Sequence, residues 1–277
     1  MKLVTFSVNG RSRIGEIVED TVYTLAWQDT MRQMIRRGMT AGRAYERFPL
    51  DRVTIEPPLQ PGKIIGIGLN YADHAKETGK EPPKEPIIFA KFPSAVIGPN
   101  VAIEWRKSIT SQVDYEGELG VIIGRRARDV SEEDALRYVF GYTIANDVSA
   151  RDLQKGKDAQ WTRGKSLDTF CPLGPILVTR DEIADPQALT IKTTLNDELV
   201  QDGTTADMIF SISALIAYCS RSFTLEPGDL LLTGTPAGVG FARTPQRFLA
   251  DGDVVSIAIE GLGELTNPCR VIEEETD

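Results

Sequence analysis

The sequence predicts a mixed, predominantly β fold with peripheral helices and a small N-terminal unit, on two observations. Short apolar runs of strand length recur along the chain, at Leu119 to Ile123, Ile176 to Val178, Ile191 to Leu195, Leu230 to Leu232 and Val254 to Ile259, with glycine-rich turns between them. Helical periodicity is confined to a few stretches. One is Ser131 to Tyr138, where SEED supplies a serine cap and an acidic first turn, and another is Ile209 to Ser220. Both are expected at the surface or in crossovers. No internal repeat or low-complexity tract is visible, which argues against a solenoid and against a disordered interaction protein.

Residues 1 to about 50 predict short strands at Leu3 to Val8, Arg13 to Val18 and Val22 to Leu25, then a helix from Thr30 to Phe48. The segment EPPLQPG, residues 56–62, concentrates proline and glycine and marks a boundary before a strand at Lys63 to Gly68. The expected organisation is thus a small α+β domain over residues 1–55 and a main domain over residues 60–277. A chain of 277 residues accommodates one large β-rich domain with a small appendage and a core that needs no staples.

Composition narrows the function classes. No apolar run approaches the roughly 20 residues needed to cross a bilayer, and MKLVTFSVNG lacks the apolar segment of a signal peptide. The expectation is a cytoplasmic protein without a membrane partner. Cys171, Cys219 and Cys269 are odd in number and widely spaced, which predicts free thiols. A net charge of -9 and a pI near 4.9 argue against a nucleic-acid partner. An anionic substrate would need locally placed cations or a metal.

Within VDYEGELGVIIG, Glu116 and Glu118 stand two apart at the mouth of an apolar strand, so the period of two sends both side chains to one face. Asp114 would share that face if the strand extended back far enough. Asp147 follows the strand-like run Tyr142 to Ala145. Three carboxylates at strand ends could hold a hard cation such as Mg2+; a solvated sheet edge would carry the same residues. His74 is the one histidine, which excludes a histidine-rich zinc site, so any metal must take oxygen ligands. Glu77 lies three residues on and could orient the imidazole as a general base if the stretch is helical; a surface ion pair is the alternative. Lys165 and Lys91 each interrupt apolar surroundings and could face an anionic substrate or solvent, while Arg151 could ion-pair near the site. The run EPGDLLLTGTPAGVG predicts a strand and a glycine turn where Thr235 and backbone amides could meet an anionic oxygen. It is not a phosphate-binding P-loop, since no GK[ST] closes it.

The order GLNYADHAKE, YEGELGVIIG, NDVSARDLQ, RGKSLDTFCPLGP, DMIFSISALIAYCS and LEPGDLLLTGTPAGVG resembles the fumarylacetoacetate hydrolase superfamily over roughly residues 60–270. The resemblance implies a mixed β-sandwich roll, a homodimer, and Mg2+ or Mn2+ on Glu116, Glu118 and Asp147, positions that would also accept Ca2+. It makes His74 and Glu77 a water-activating dyad on a lid and Lys165 the active-site lysine. Lys91, Arg151, Gln160 and Thr235 fall at substrate-binding positions. Leu69 departs from the arginine common in acylpyruvate-cleaving relatives, which turns the reading from simple acylpyruvates toward sugar-derived diketo acids or dienoic diacids. The implied partner is a small oxo-acid substrate and the implied reaction is hydrolysis of a C–C bond in a 2,4-diketo acid. Decarboxylation of a 2-oxo diacid, or isomerisation of a 2-hydroxydienoic diacid, is the alternative on the same site. A non-catalytic metal- or ligand-binding module is the rival of a different class.

Overall fold

The computed structural model describes residues 1–38, 41–156 and 159–273. The chain opens as an antiparallel meander, β1 (Lys2–Val8), β2 (Arg11–Val18) and β3 (Thr21–Leu25), followed by helix α1 (Met31–Arg36), β4 (Arg43–Pro49) and β5 (Thr54–Glu56). The helix expected from Thr30 to Phe48 is therefore only six residues long. Thr30 caps it, its hydroxyl accepting the Gln33 N–H at 3.3 Å, and Gly38 follows in the left-handed region at φ 64, where glycine commonly ends a helix. Past that stop, Phe48 pairs with Val22 and packs its ring 5.9 Å from Phe6, so cross-strand burial prevails over helix propensity.

The remaining elements run in order through β6 (Ile64–Gly68), α2 (Ala72–Glu77), β7 (Ile87–Lys91), β8 (Val96–Ile97), β9 (Ile103–Arg106), β10 (Val113–Asp114) and β11 (Gly117–Ile123). Then come β12 (Val139–Asn146), β13 (Ser149–Ala150), α3 (Arg151–Lys155), α4 (Trp161–Lys165), β14 (Cys171–Thr179), β15 (Thr190–Leu195) and β16 (Glu198–Thr204). The chain closes with α5 (Ile212–Ser222), β17 (Leu230–Leu232), β18 (Val254–Ile259) and β19 (Gly263–Ile272). The helix expected over Ser131 to Tyr138 is reduced to a 3-10 turn at Ala135–Tyr138, because the chain enters β12 at once. Helix α5 begins at Ile212 rather than Ile209, since the Ser211 hydroxyl caps it by accepting the Ala214 N–H at 3.1 Å. Its buried stripe of Ile212, Leu215, Ile216 and Cys219 has the spacing of a helix packed on one face.

The largest sheet runs β4-β3-β2-β1-β14-β12-β11-β17-β6-β7, and a five-stranded sheet, β16-β15-β18-β19-β9, lies against it. The two form a sandwich with mixed strand directions, as the fold class predicts. Strand β11 is buried on both faces: Leu119, Val121 and Ile123 enter the core between the sheets, while Ile122 packs with Leu177 and Leu230 on the other side. Each such side chain contributes about 1.5–3 kcal/mol by leaving water. The N-terminal meander joins the same sheet, with Leu3 opposite Leu177 across β1 and β14. The proline-rich segment 56–62 connects β5 to β6. Among the described residues no helix is long and apolar enough to cross a membrane.

Register places the functional strand ends together. Gly117 pairs with Asn146 and Glu118 with Ala145, and the Asp147 N–H donates to the Glu116 carbonyl at 2.9 Å. The adjoining ends of β11 and β12 thus carry all three predicted carboxylates.

All three cysteines are free and buried, and burial pushes each thiol up to about 12. At pH 8 the folded protein is therefore expected to leave a disulfide reagent such as DTNB unreacted, with three thiols titrating after addition of denaturant. Rapid reaction of a folded-state thiol would contradict the packing around it.

Candidate active site

The carboxylates Glu116, Glu118 and Asp147 are buried, and one oxygen of each lies within 4.8 Å of the others. Two of them have ammonium partners. Lys165 Nζ donates to Glu116 Oε2 at 2.6 Å and to Asp147 Oδ2 at 2.5 Å. Lys91 Nζ lies 2.7 Å from Asp147 Oδ1 and donates to the Val148 carbonyl at 3.2 Å. Arg151 links Glu116 to a fourth buried carboxylate: its Nη1 stands 2.7 Å from Glu116 Oε1, and its Nε donates to Asp114 Oδ2 at 2.8 Å. Asp114 therefore does not join the cluster. The strand breaks at Tyr115 and Glu116, and Asp114 pairs with β13 instead.

Electrostatics divide the two glutamates. Burial would raise Glu116, but Lys165, Arg151 and His74 outweigh it and hold the carboxyl well below its ordinary range. Glu118 is raised well above 4.5 by burial and then by Asp147 and Glu116, with Lys165 and the Gly234 amide opposing. Its Oε2 accepts the Gly234 N–H at 2.9 Å, and no lysine or arginine pairs with it among the described residues. A buried carboxyl without a cation, beside two carboxylates in reach of the same point, is a donor set suited to a hard divalent ion. The cluster fits a metal of that class.

The glycine turn after β17 meets anionic oxygens, as its sequence suggests, and they are the protein's own. Amides of Gly234, Ala237, Gly238 and Gly240 donate to Glu118, Asp73, Glu77 and Asp114 at 2.9, 3.0, 2.9 and 2.8 Å. Gly234 sits at φ 94 with a Cβ site 2.9 Å from Asn70 Cβ, and a Cβ on Gly238 would run into the Val200 carbonyl. Both close approaches require glycine. Thr235 spends its hydroxyl on the frame: it donates to the Gly117 carbonyl at 2.9 Å and accepts from Gln201 Nε2 at 2.7 Å.

Helix α2 presents the dyad. His74 Nδ1 lies 2.7 Å from Glu77 Oε1, and the other oxygen of Glu77 is the one that holds Gly238. The ring is thereby oriented toward a cavity of about 40 Å³ that is lined by His74, Glu116, Glu118, Lys165, Phe89 and Trp161. Leu69 lines it in the left-handed region at φ 54, an uncommon conformation for leucine that Asn70 helps to hold by three hydrogen bonds to Phe210 and Thr233.

Thr235 and Arg151 also line this cavity. Lys91 does not; it lies behind Asp147 as a counter-ion. Gln160 does not either: it is exposed, and its side-chain oxygen accepts the Thr162 N–H at 3.3 Å at the start of α4.

The model of the fumarylacetoacetate hydrolase C-terminal family matches residues 63–270. The chain belongs to the fumarylacetoacetate hydrolase family. It is 46% identical to the mitochondrial oxaloacetate tautomerase of Xenopus laevis over 92% of this chain and 82% of that protein. A solved fumarylacetoacetate hydrolase from Exiguobacterium antarcticum superposes with a TM-score of 0.90 at 42% identity, covering 98% of this chain and 100% of the other. The 2-hydroxyhepta-2,4-diene-1,7-dioate isomerase of Mycobacterium marinum superposes with a TM-score of 0.85 at 38% identity, covering 99% and 100%.

Sequence reading missed several residues that shape the site of this family member. Gln201 is buried and saturated: its oxygen accepts from Gly117 N–H and Thr193 Oγ1, and its nitrogen donates to Thr235 Oγ1 and the Pro236 carbonyl. It fastens the backbone between the two glutamates to the glycine turn. Asp73 anchors the dyad helix to that turn. Lys80 and Lys155 line the cavity, and no motif marks them.

Substituting Glu118→Gln tests the cluster. The raised carboxyl holds its proton in the native state above 4.5, where the unfolded chain releases it, so stability falls as pH rises from there. Glutamine removes this fall. At pH 7 the metal-free variant is expected to melt higher than the parent, while the rise in Tm on adding a divalent cation is lost. A lower metal-free Tm together with an intact metal-dependent rise would contradict the assignment.

Proposed function

We propose that the chain catalyses keto–enol tautomerisation of a small 2-oxo diacid of the oxaloacetate type. The observation that carries this reading is a base and an ammonium lining one cavity: His74, whose Nδ1 lies 2.7 Å from Glu77 Oε1, and Lys165. Tautomerisation moves one proton within one substrate, and a base with an ammonium suffices for it, whereas hydrolysis needs an attacking water as well. The relatives support the same direction. One is described as an oxaloacetate tautomerase and another as a dioate isomerase, and neither reaction consumes water.

Glu116, Glu118 and Asp147 would hold a divalent cation, Mg2+ or Mn2+, which when bound would polarise the oxygens of the 2-oxo acid as a Lewis acid. The carboxylate of Glu77 keeps the imidazole proton on Nδ1 of His74 and leaves Nε2 free as the base. Nε2 takes a proton from C3, the C–H electron pair becomes the C2–C3 double bond, and the carbonyl pair moves to O2. Lys165, raised above its ordinary value because Asp147 and Glu116 outweigh the opposing effect of burial, remains an ammonium and counters the charge on O2. The same proton delivered to O2 completes the enol. Phe89 and Trp161 wall the cavity with apolar surface and limit water around the transfer.

Hydrolytic cleavage of a 2,4-diketo acid is the second reading, favoured by the likeness to a fumarylacetoacetate hydrolase. There His74 and Glu77 would activate water against the distal carbonyl, and the C–C bond would break with its pair moving into the keto-acid enolate.

The test is product analysis of metal-loaded protein with oxaloacetate, an acylpyruvate, a 2,4-diketo-3-deoxy sugar acid and a hydroxydienoic diacid. We expect accelerated decay of the oxaloacetate enol and C3 hydrogen–deuterium exchange with every carbon retained. His74→Ala should slow this by about 10²-fold or more while leaving metal binding in place. Acid plus keto acid as the main products would establish the hydrolase reading instead, and carbon dioxide release would establish a decarboxylase.

A further inference from the structure

We propose that Lys80 and Lys155 form a carboxylate-binding pair at the mouth of the cavity and select substrates that carry a second, distal carboxylate. The inference rests on the tautomerase reading for the substrate's 2-oxo acid end and adds what recognises the other end.

Four cationic side chains line the cavity: Lys80, Arg151, Lys155 and Lys165. Arg151 and Lys165 are buried and already committed, with carboxylate oxygens at 2.7 and 2.6 Å. Lys80 and Lys155 both reach solvent, Lys155 with part of its side chain covered, and neither has a carboxylate within 4.0 Å among the described residues. Their positions are built by separate elements. Lys80 follows Gly79, which leaves α2 at φ 66, and its amide donates to the Ala75 carbonyl at 2.9 Å, which fixes it just beyond the dyad helix. Lys155 ends α3, and its ammonium stands 3.4 Å from the centroid of the Phe241 ring, which restrains its position.

Partial burial, then Arg151, then Lys80 bring the Lys155 ammonium down to about 8, with Glu116 and Asp114 opposing. Two cations without a carboxylate partner among the described residues, at a cavity whose buried lining is carboxylate and lysine, give it a polarity: a 2-oxo acid end inward and an anionic end outward. A monoacid would leave the pair unmatched, whereas a second carboxylate matches it. A chain with net charge -9 attracts dianions poorly overall, so a local cationic rim also serves to admit them.

Lys80→Met and Lys155→Met, singly and together, keep the apolar stems and remove the charges. The substrates are oxaloacetate and its 4-ethyl ester, in which the distal charge is replaced by a neutral ester. The ratio of kcat/KM for the diacid to that for the ester should fall about threefold for each single variant and about tenfold for the double. Added salt should lower the parent's ratio toward that of the double variant. A ratio within twofold of the parent in the double variant overturns the proposal, as does an equal loss on both substrates. If the parent accelerates neither substrate, the tautomerase reading fails on its own. The pair is then judged by calorimetric titration with the same two compounds: the double variant should lose about tenfold in preference for the diacid, and an unchanged preference overturns it.

Discussion

Four carboxylates, Asp114, Glu116, Glu118 and Asp147, are buried within a few ångströms of one another's partners, and an unpaired buried charge is among the most costly features a fold can contain. The rest of the site answers that constraint. Lys91, Lys165 and Arg151 alternate with the acids in a ladder from Asp147 through Glu116 to Asp114. Backbone amides take up what the cations leave. Among the described residues Glu118 is the member with no ammonium or guanidinium of its own, which leaves the cluster one acid that an added cation would match.

The turn after β17 makes one object of the floor and the dyad. Its amides bind Glu118 on the floor, Asp73 and Glu77 on the dyad helix, and Asp114 at the far end of the ladder. Gln201 ties the same turn to the backbone between Glu116 and Glu118. A displacement of the turn would therefore disturb the His74–Glu77 pair and the floor together, and the glycines at positions 234 and 238 are what let it approach both. The sandwich contributes rigidity: β11, buried on both faces, leaves the pleat that carries the glutamates little freedom to shift register.

Local patterns in the chain were informative where chemistry and secondary structure share a short period. Apolar runs marked β11, β17 and β18, and the Glu-Gly-Glu spacing marked two acids on one face. The spacing of His74 and Glu77 marked a helical pair, which the structure closes at 2.7 Å. Patterns misled where a neighbour decided. Residues 43–49 extend because β3 lies beside them, and Asp114 turns away because Arg151 offers a buried guanidinium. Gln160, expected from its motif position to meet substrate, is exposed outside the cavity.

By itself the sequence determined the β-rich class, the family motifs, the three acids that gather at adjoining strand ends, and the histidine–glutamate pair, because each is written in spacings of a few residues. Tertiary structure alone decided which cation serves which acid, that Lys91 stands behind the site, that Gln201 braces it, and that Lys80 and Lys155 line one cavity. Those relations join residues tens of positions apart across different sheets and helices, where packing and electrostatic balance, rather than any periodicity along the chain, set the partner.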